Sequence, residues 1–248
     1  MDPTSRRVAL VTGASRGIGA EISRRLVAEG YGITLTARRP AGLESMVADL
    51  QSGGGAAHGI PANMADPESI TDLVAAHERC FGRLDLLVLS AGAGSDERVI
   101  DLTLKAVDLQ LSVNLRAQMM LVSALLPLLR ATAGAEPHRG ARVVGLASIT
   151  GVAAEPGLSV YGATKAALIS FCEAVSTEES TNGVSATAIC PGYVATDMTT
   201  SIQQRVPADS MVTAADIAEM VVALSRLSAK TVVPKVVMTR AGSELWRA

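Results

Sequence analysis

The chain has 248 residues, 48% of them hydrophobic and 19% charged, with a formal net charge of −2. That composition excludes a disordered polypeptide, and the lack of any basic or acidic block speaks against nucleic acid or an anionic membrane surface as partner. Aromatic residues make up only 2%, so a core must be filled by Ala, Val, Leu and Ile, which suits close packing of helices on a sheet.

Taken in order, residues 7–12 (RVALVT) are short, β-rich and end at a glycine, as a first strand would. Ile18, Ile22 and Leu26 recur at helical spacing across 18–30, with Gly30 as a stop. Residues 32–37 read as a second strand, and 43–50 as a second helix before the loop S52-G-G-G55. A weaker third strand (56–61) and a third helix (67–81) follow. Residues 84–90 are nearly all apolar, as in a strand covered on both faces. A long helix is expected from about 103 to 130, bent or ended by Pro127. Residues 142–148 give a fifth strand, 161–179 a helix, 184–190 a sixth strand and 214–227 a helix. A last strand spans 231–238, where Pro234 suits an edge position. With no repeat or linker, this alternation predicts one α/β domain over 1–248: a Rossmann-like, doubly wound parallel sheet of about seven strands with helices on both faces. The longest apolar run, 119–129, is shorter than a bilayer span and holds Pro127, and residues 1–7 are polar, so a soluble, cytoplasmic protein is expected.

The sequence V11-T-G-A-S-R-G-I-G19 follows the first strand directly and opens the first helix. Gly13, Gly17 and Gly19 let the backbone turn tightly and approach a pyrophosphate, while the helix N-terminus offers free N–H groups. In this strand–turn–helix context the run predicts a dinucleotide site. An NAD site expects an acid at the end of the second strand, to accept from the ribose 2′-hydroxyl. Here the strand ends T34-L-T-A-R-R39, with Arg38 where the acid would stand and Arg16 inside the glycine turn. Two guanidiniums can clamp a 2′-phosphate, so the charge argument predicts NADP(H) over NAD(H).

Tyr161 and Lys165 are spaced i, i+4 and share one face of a helix, and Ser148 ends the strand before it. A phenol has an unperturbed pKa of about 10. A neighbouring ammonium and an oxidised nicotinamide would favour the phenolate and bring Tyr161 towards working range as an acid–base group. Ser148 could then hold the substrate oxygen between hydride donor and proton donor.

With these motifs in this order, nearly the whole chain resembles the short-chain dehydrogenase/reductase family. T12-G-A-S-R-G-I-G19 is similar to the family's cofactor turn, which implies cofactor contacts from Gly13, Ser15, Arg16, Gly17, Ile18 and Gly19. Ser148 and Y161-x-x-x-K165 are similar to its active-site signature, and Asn114 in S112-V-N-L-R-A117 matches its helix asparagine, which supports a water in a proton relay from the lysine. P191-G-Y-V-A-T196 resembles the segment after the sixth strand, implying nicotinamide contacts from Pro191, Gly192, Val194 and Thr196. The resemblance makes Tyr161 the proton donor or acceptor. It also assigns Lys165 to lowering the Tyr161 pKa and holding the nicotinamide ribose, and Ser148 to positioning the carbonyl.

Three departures from the family stand out. The usual Asn-Ala-Gly after the fourth strand is Ser90, Ala91 and Gly92; the adenine-side acid is replaced by Asn63, followed by Met64; and the tail runs V236-V-M-T-R-A-G-S-E-L-W-R-A248. The implied activity is reduction of a ketone or aldehyde, with a 3-oxoacyl thioester among the candidate substrates. Alternatives are NADP⁺-dependent oxidation of a 3-hydroxy acid or polyol, or an NADP(H)-sensing protein without turnover. Residues 193–212 are expected to form a substrate lid, with Tyr193 and Thr150 near the substrate, and the small face Ala163, Ala166, Ala167 and Ser170 to serve a homodimer or homotetramer. Cys80, Cys172 and Cys190 read as buried small side chains in a reducing compartment. His58, His77 and His138 read as surface or loop histidines without ligand spacing, so no metal is expected. Asp85 reads as a structural group orienting a strand.

Overall fold

A computed structural model describes residues 6–243; the extreme tail, 244–248, lies outside the described residues. Seven parallel strands form one sheet in the order β3-β2-β1-β4-β5-β6-β7. They are β1 (Val8–Thr12), β2 (Gly32–Ala37), β3 (Ala57–Pro61), β4 (Leu86–Leu89), β5 (Ala141–Leu146), β6 (Val184–Pro191) and β7 (Lys235–Met238). Side chains alternate across a strand, so the continuous apolar runs divide between two cores. Ala9, Val11, Leu86 and Val88 face α1 (Gly17–Ala28), α2 (Pro40–Ser52) and α7 (Ala214–Arg226). Leu10, Leu87 and Leu89 face α3 (Pro67–Phe81), α5 (Ala117–Ala135) and α6 (Ser159–Glu179). The order reverses between β1 and β4, leaving a crevice at their carboxyl ends, where such sheets bind ligands.

Several expectations change. The single helix expected over 103–130 is α4 (Leu104–Leu111), a π-helical turn (Ser112–Arg116) and α5, which carries Pro127 within it and runs on to Ala135. Together residues 104–135 are long and apolar enough to cross a membrane by length and composition, but Leu121, Leu125 and Leu129 are buried in the second core. The last strand starts only at Lys235; the Pro234 carbonyl, just before it, accepts from Ala188 N–H. Ser148 lies two residues beyond β5 and caps a 3-10 turn (Ile149–Gly151), its Oγ accepting from Thr150 N–H. Cys172 and Cys190 are buried, whereas Cys80 is exposed. His58 and His138 are exposed, but His77 is fully buried, because it extends the inward stripe of Ile70 and Leu73 on α3. Asp85 is structural as expected: its carboxylate accepts from Val8 N–H at 2.8 Å and from both Nε and Nη2 of Arg83 at 2.9 and 2.7 Å.

Candidate active site

Every predicted site residue lies at or just beyond the carboxyl edge of the sheet or on the helices facing it. The turn after β1 is shaped by its glycines. Gly13 and Gly17 have φ of 67° and 57°, a region in which side chains other than glycine are strained. A Cβ at Gly19 would stand 2.5 Å from the Gly13 carbonyl oxygen. Helix α1 then starts with no side-chain cap and no acid in its first turn, so its N-terminal N–H groups remain available. An uncapped helix behind a turn with no room for side chains fits a dinucleotide pyrophosphate. Arg38, beyond β2, is exposed and makes no ion pair among the described residues. Arg16 pairs with Asp197 at 3.2 Å, both well exposed. Asn63, exposed after β3, spends its Oδ1 on Ala65 N–H at 3.2 Å, while Met64 is buried.

The Ser90–Ala91–Gly92 turn survives without the family asparagine because two other residues hold its backbone. Thr12 Oγ1 accepts from Ser90 N–H and Ala91 N–H at 3.0 and 2.9 Å. Buried Gln118 donates from Nε2 to the Ala91 carbonyl at 2.9 Å and to Val113 O, in the π turn, at 3.1 Å. Asn114 sits in that turn, fully buried. Its side chain accepts from Ala93 N–H and donates to Ala93 O, both at 2.8 Å, and also donates to Thr164 Oγ1 at 3.1 Å. Gln118, Thr12 and Thr164 were not singled out from the sequence; only their bonds in the fold reveal their role.

This loop also approaches Lys165 and Tyr161. A Cβ at Gly92 would lie 3.6 Å from Asn114 Oδ1 and 3.7 Å from Lys165 Nζ, and one at Gly94 would lie 3.3 Å from the Tyr161 ring. On the other side, Gly13 lies against the Ala91 backbone, where a Cβ would come within 2.9 Å. Lys165 is buried, donates to Leu146 O at 2.6 Å, and places its ammonium 5.4 Å from the Tyr161 ring centroid. Burial pushes the Tyr161 phenol up to about 12, with a weaker opposing pull from the nearby Ser148 hydroxyl. Burial also lowers Lys165 to about 8, against small upward pulls from Cys190 and Cys172. In the protein alone, burial of the phenol works against the depression expected from Lys165. The ammonium lies over the ring and is bonded to a carbonyl, and desolvation of the phenolate wins.

Residues 7–207 match the family described as short chain dehydrogenase. The chain belongs to the short chain dehydrogenase family. Among its relatives, a 3-oxoacyl-[acyl-carrier-protein] reductase of Synechocystis is 30% identical over 203 residues, covering 82% of this chain and 80% of the relative. A monensin polyketide synthase putative ketoacyl reductase of Streptomyces virginiae is 32% identical over 204 residues, covering 82% and 77%. An actinorhodin polyketide ketoreductase crystallised with NADPH superposes with a TM-score of 0.85 at 28% identity, covering 96% of this chain and 97% of that one. A short chain dehydrogenase of Burkholderia cenocepacia in complex with NADP gives 0.84 at 30% identity, with the same coverage.

In this short chain dehydrogenase the segment after β6 forms a closed loop. Val212 N–H donates to Tyr193 O, and Ala195 N–H to Val212 O, each at 3.0 Å, and a small cluster of Tyr193, Val206 and Met211 fills its inside. Pro191 ends β6, Gly192 N–H donates to Met238 O at 2.8 Å, and Val194 is buried. Thr196 turns towards the glycine turn after β1, its Cγ2 3.5 Å from where a Gly17 Cβ would be. Tyr193 bonds the Glu155 carboxylate and receives Arg205 Nη2 at 2.8 Å, which ties the loop to the segment leading into α6. Glu155 and Arg205 carried no signal in the sequence.

Proposed function

We propose that the chain is an NADP(H)-dependent reductase of a ketone or aldehyde, with Tyr161 as the proton donor. The observation that carries this reading is the close approach of the glycine turn to Ala91, and of Gly92 and Gly94 to Lys165, Asn114 and Tyr161. Arg16 and Arg38, in place of an acid, favour the 2′-phosphorylated cofactor, and the related proteins crystallised with NADPH and NADP support the choice. The cofactor residues are the turn Gly13, Ser15, Arg16, Gly17, Ile18 and Gly19, with Arg38, Asn63, Met64, Ser90 to Gly92, and Pro191, Gly192, Val194 and Thr196. When bound there, the reduced nicotinamide supplies hydride to the substrate carbon.

Held near 12, Tyr161 is fully protonated at neutral pH and has a proton to give to the developing alkoxide. Ser148 donates a hydrogen bond to the same oxygen, and Lys165 favours the phenolate as its proton leaves. Asn114 ties the loop at Ala93 to α6 through Thr164. Oxidation of the matching alcohol is the reverse of this reaction, and the ratio of reduced to oxidised cofactor sets the direction. Segment 193–212 acts as the substrate lid. Exposed Ala163, Ala166 and Ser170 on α6, together with exposed Leu109, Leu111, Met119 and Met120, support a homodimer or homotetramer.

NADPH consumption against a panel of ketones, aldehydes and 3-oxoacyl thioesters tests the proposal. Turnover is expected on at least one, and Tyr161→Phe should lower it roughly a hundredfold or more. Full turnover in Tyr161→Phe overturns the role of the tyrosine; cofactor binding with no turnover on the panel overturns the reductase.

A further inference from the structure

Ser148 Oγ receives two contacts from one residue. Thr150 N–H donates to it at 3.2 Å and the Thr150 hydroxyl lies 2.9 Å away, and both residues are at least nine-tenths buried. Among the described residues, Ser148 is the only hydrogen-bond partner of the Thr150 hydroxyl. A serine oxygen carries two lone pairs and one proton. The backbone N–H fills one lone pair whatever the hydroxyl rotors do. If Thr150 donates into the second, the Ser148 proton must point away from Thr150, into the site. If instead Ser148 donated to Thr150, it would have no proton left for a substrate.

We propose that Thr150 is a positioning residue that fixes Ser148 as a hydrogen-bond donor: Thr150 O–H donates to Ser148 Oγ, and Ser148 O–H donates to the substrate carbonyl oxygen, which accepts. The inference rests on the carbonyl-reductase reading. No covalent bond changes along these two hydrogen bonds; each hydroxyl keeps its own proton and polarises the next, and linked hydrogen bonds strengthen one another in a low-dielectric site. The backbone around Thr150 is well held. A Cβ at Gly162 would lie 2.8 Å from the Thr150 carbonyl oxygen, and one at Gly151 would lie 2.7 Å from the backbone nitrogen of Ala166. The turn bearing Ser148 and Thr150 is thus pressed onto the helix bearing Tyr161 and Lys165. A β-branched side chain adds few χ1 choices, which keeps the hydroxyl on Ser148.

Val is the isostere that keeps the branching and removes the hydroxyl. T150V, T150S, S148A and the double variant S148A/T150V are compared in NADPH-dependent reduction of the best panel substrate. T150V is expected to lower kcat roughly fivefold to tenfold, the size of one buried hydrogen bond, with the KM for NADPH unchanged. T150S should restore kcat to within about twofold, since one hydroxyl hydrogen bond decides the effect. In the S148A background T150V should cost nothing further, because the threonine acts only through the serine. T150A serves as a second variant without the hydroxyl and must show the same non-additivity if T150V folds poorly. A wild-type rate in T150V, or an equal loss in the S148A background, overturns this inference while leaving the reductase reading intact. Absence of wild-type turnover overturns both.

Discussion

Replacing His77 by Gln isolates one buried titration in the core between β2 and α3. Nδ1 of His77 lies 2.8 Å from Thr34 Oγ1, and Nε2 lies 3.2 Å from the Arg83 carbonyl. A carbonyl only accepts, so Nε2 carries the proton and Nδ1 accepts from the Thr34 hydroxyl. Charging the ring would bury a cation, and burial lowers the His77 pKa from 6.5 to about 4, against a smaller upward pull from Arg83 O. Between those values the unfolded chain binds the extra proton and the folded chain does not, so stability is full above pH 6.5 and falls as the pH drops towards 4. At about 1.4 kcal/mol per pH unit, the interval amounts to about 3 kcal/mol.

The assay is urea unfolding at fixed protein concentration from pH 7.5 to 4.5, wild type against His77→Gln. Glutamine can repeat both hydrogen bonds without titrating, so it costs some stability at pH 7.5 through imperfect packing. Its loss on acidification should be smaller than that of the wild type by about 2 to 3 kcal/mol. Every other group is common to the two chains and cancels in the difference. Parallel loss of stability in the two chains over this range would show that His77 charges in place without penalty, and would refute the reasoning.

Two further outcomes concern the cofactor. Arg38→Asp removes a donor to a 2′-phosphate and supplies an acceptor for a 2′-hydroxyl, so the ratio of NADPH to NADH use in kcat/KM should fall about tenfold to a hundredfold; an unchanged ratio excludes Arg38 as a phosphate ligand. Gly19→Ala places a methyl group where the Gly13 carbonyl oxygen stands 2.5 Å away, which must open the turn. It should cost about 1 to 3 kcal/mol in thermal stability and raise the Kd for NADPH at least several-fold, measured by fluorescence titration.

The alternation of strands and helices was legible because parallel strands buried on both faces must be apolar throughout, and the helices between them carry the 3.6-residue period. The gathering of residues as distant as Gly13, Asn114, Ser148, Tyr161 and Thr196 followed from topology, since a parallel sheet brings the carboxyl ends of all its strands to one edge. What stayed hidden depends on partners remote in the chain. Nothing local to residues 112–116 breaks a helix: there is no proline or glycine, and the apolar period runs through. The π turn coincides with the tertiary bonds of Asn114 to Ala93 and Thr164, and with Gln118 satisfying the Val113 carbonyl. Burial of His77 was readable in principle, as the residue at i+4 from Leu73 on the inward stripe, but a histidine invites a surface reading.

The electrostatics of the site were the least legible, and they bear most on how it works. A Tyr–Lys pair at i, i+4 suggests an ammonium pulling down a phenol; in the fold Lys165 also donates to Leu146 O and lies over the aromatic ring, and desolvation raises the phenol and lowers the amine. Left to itself the pair is a protonated acid beside a lysine poised near 8, rather than a phenolate beside a fixed cation. On the proposed reading that state is ready for reduction: the proton is already on Tyr161, and the charge created by its departure is met by Lys165 and by Ser148, the one residue whose hydrogen bond already opposes the upward shift. On the same reading, the positive charge of an oxidised nicotinamide would favour the phenolate and so serve oxidation of an alcohol.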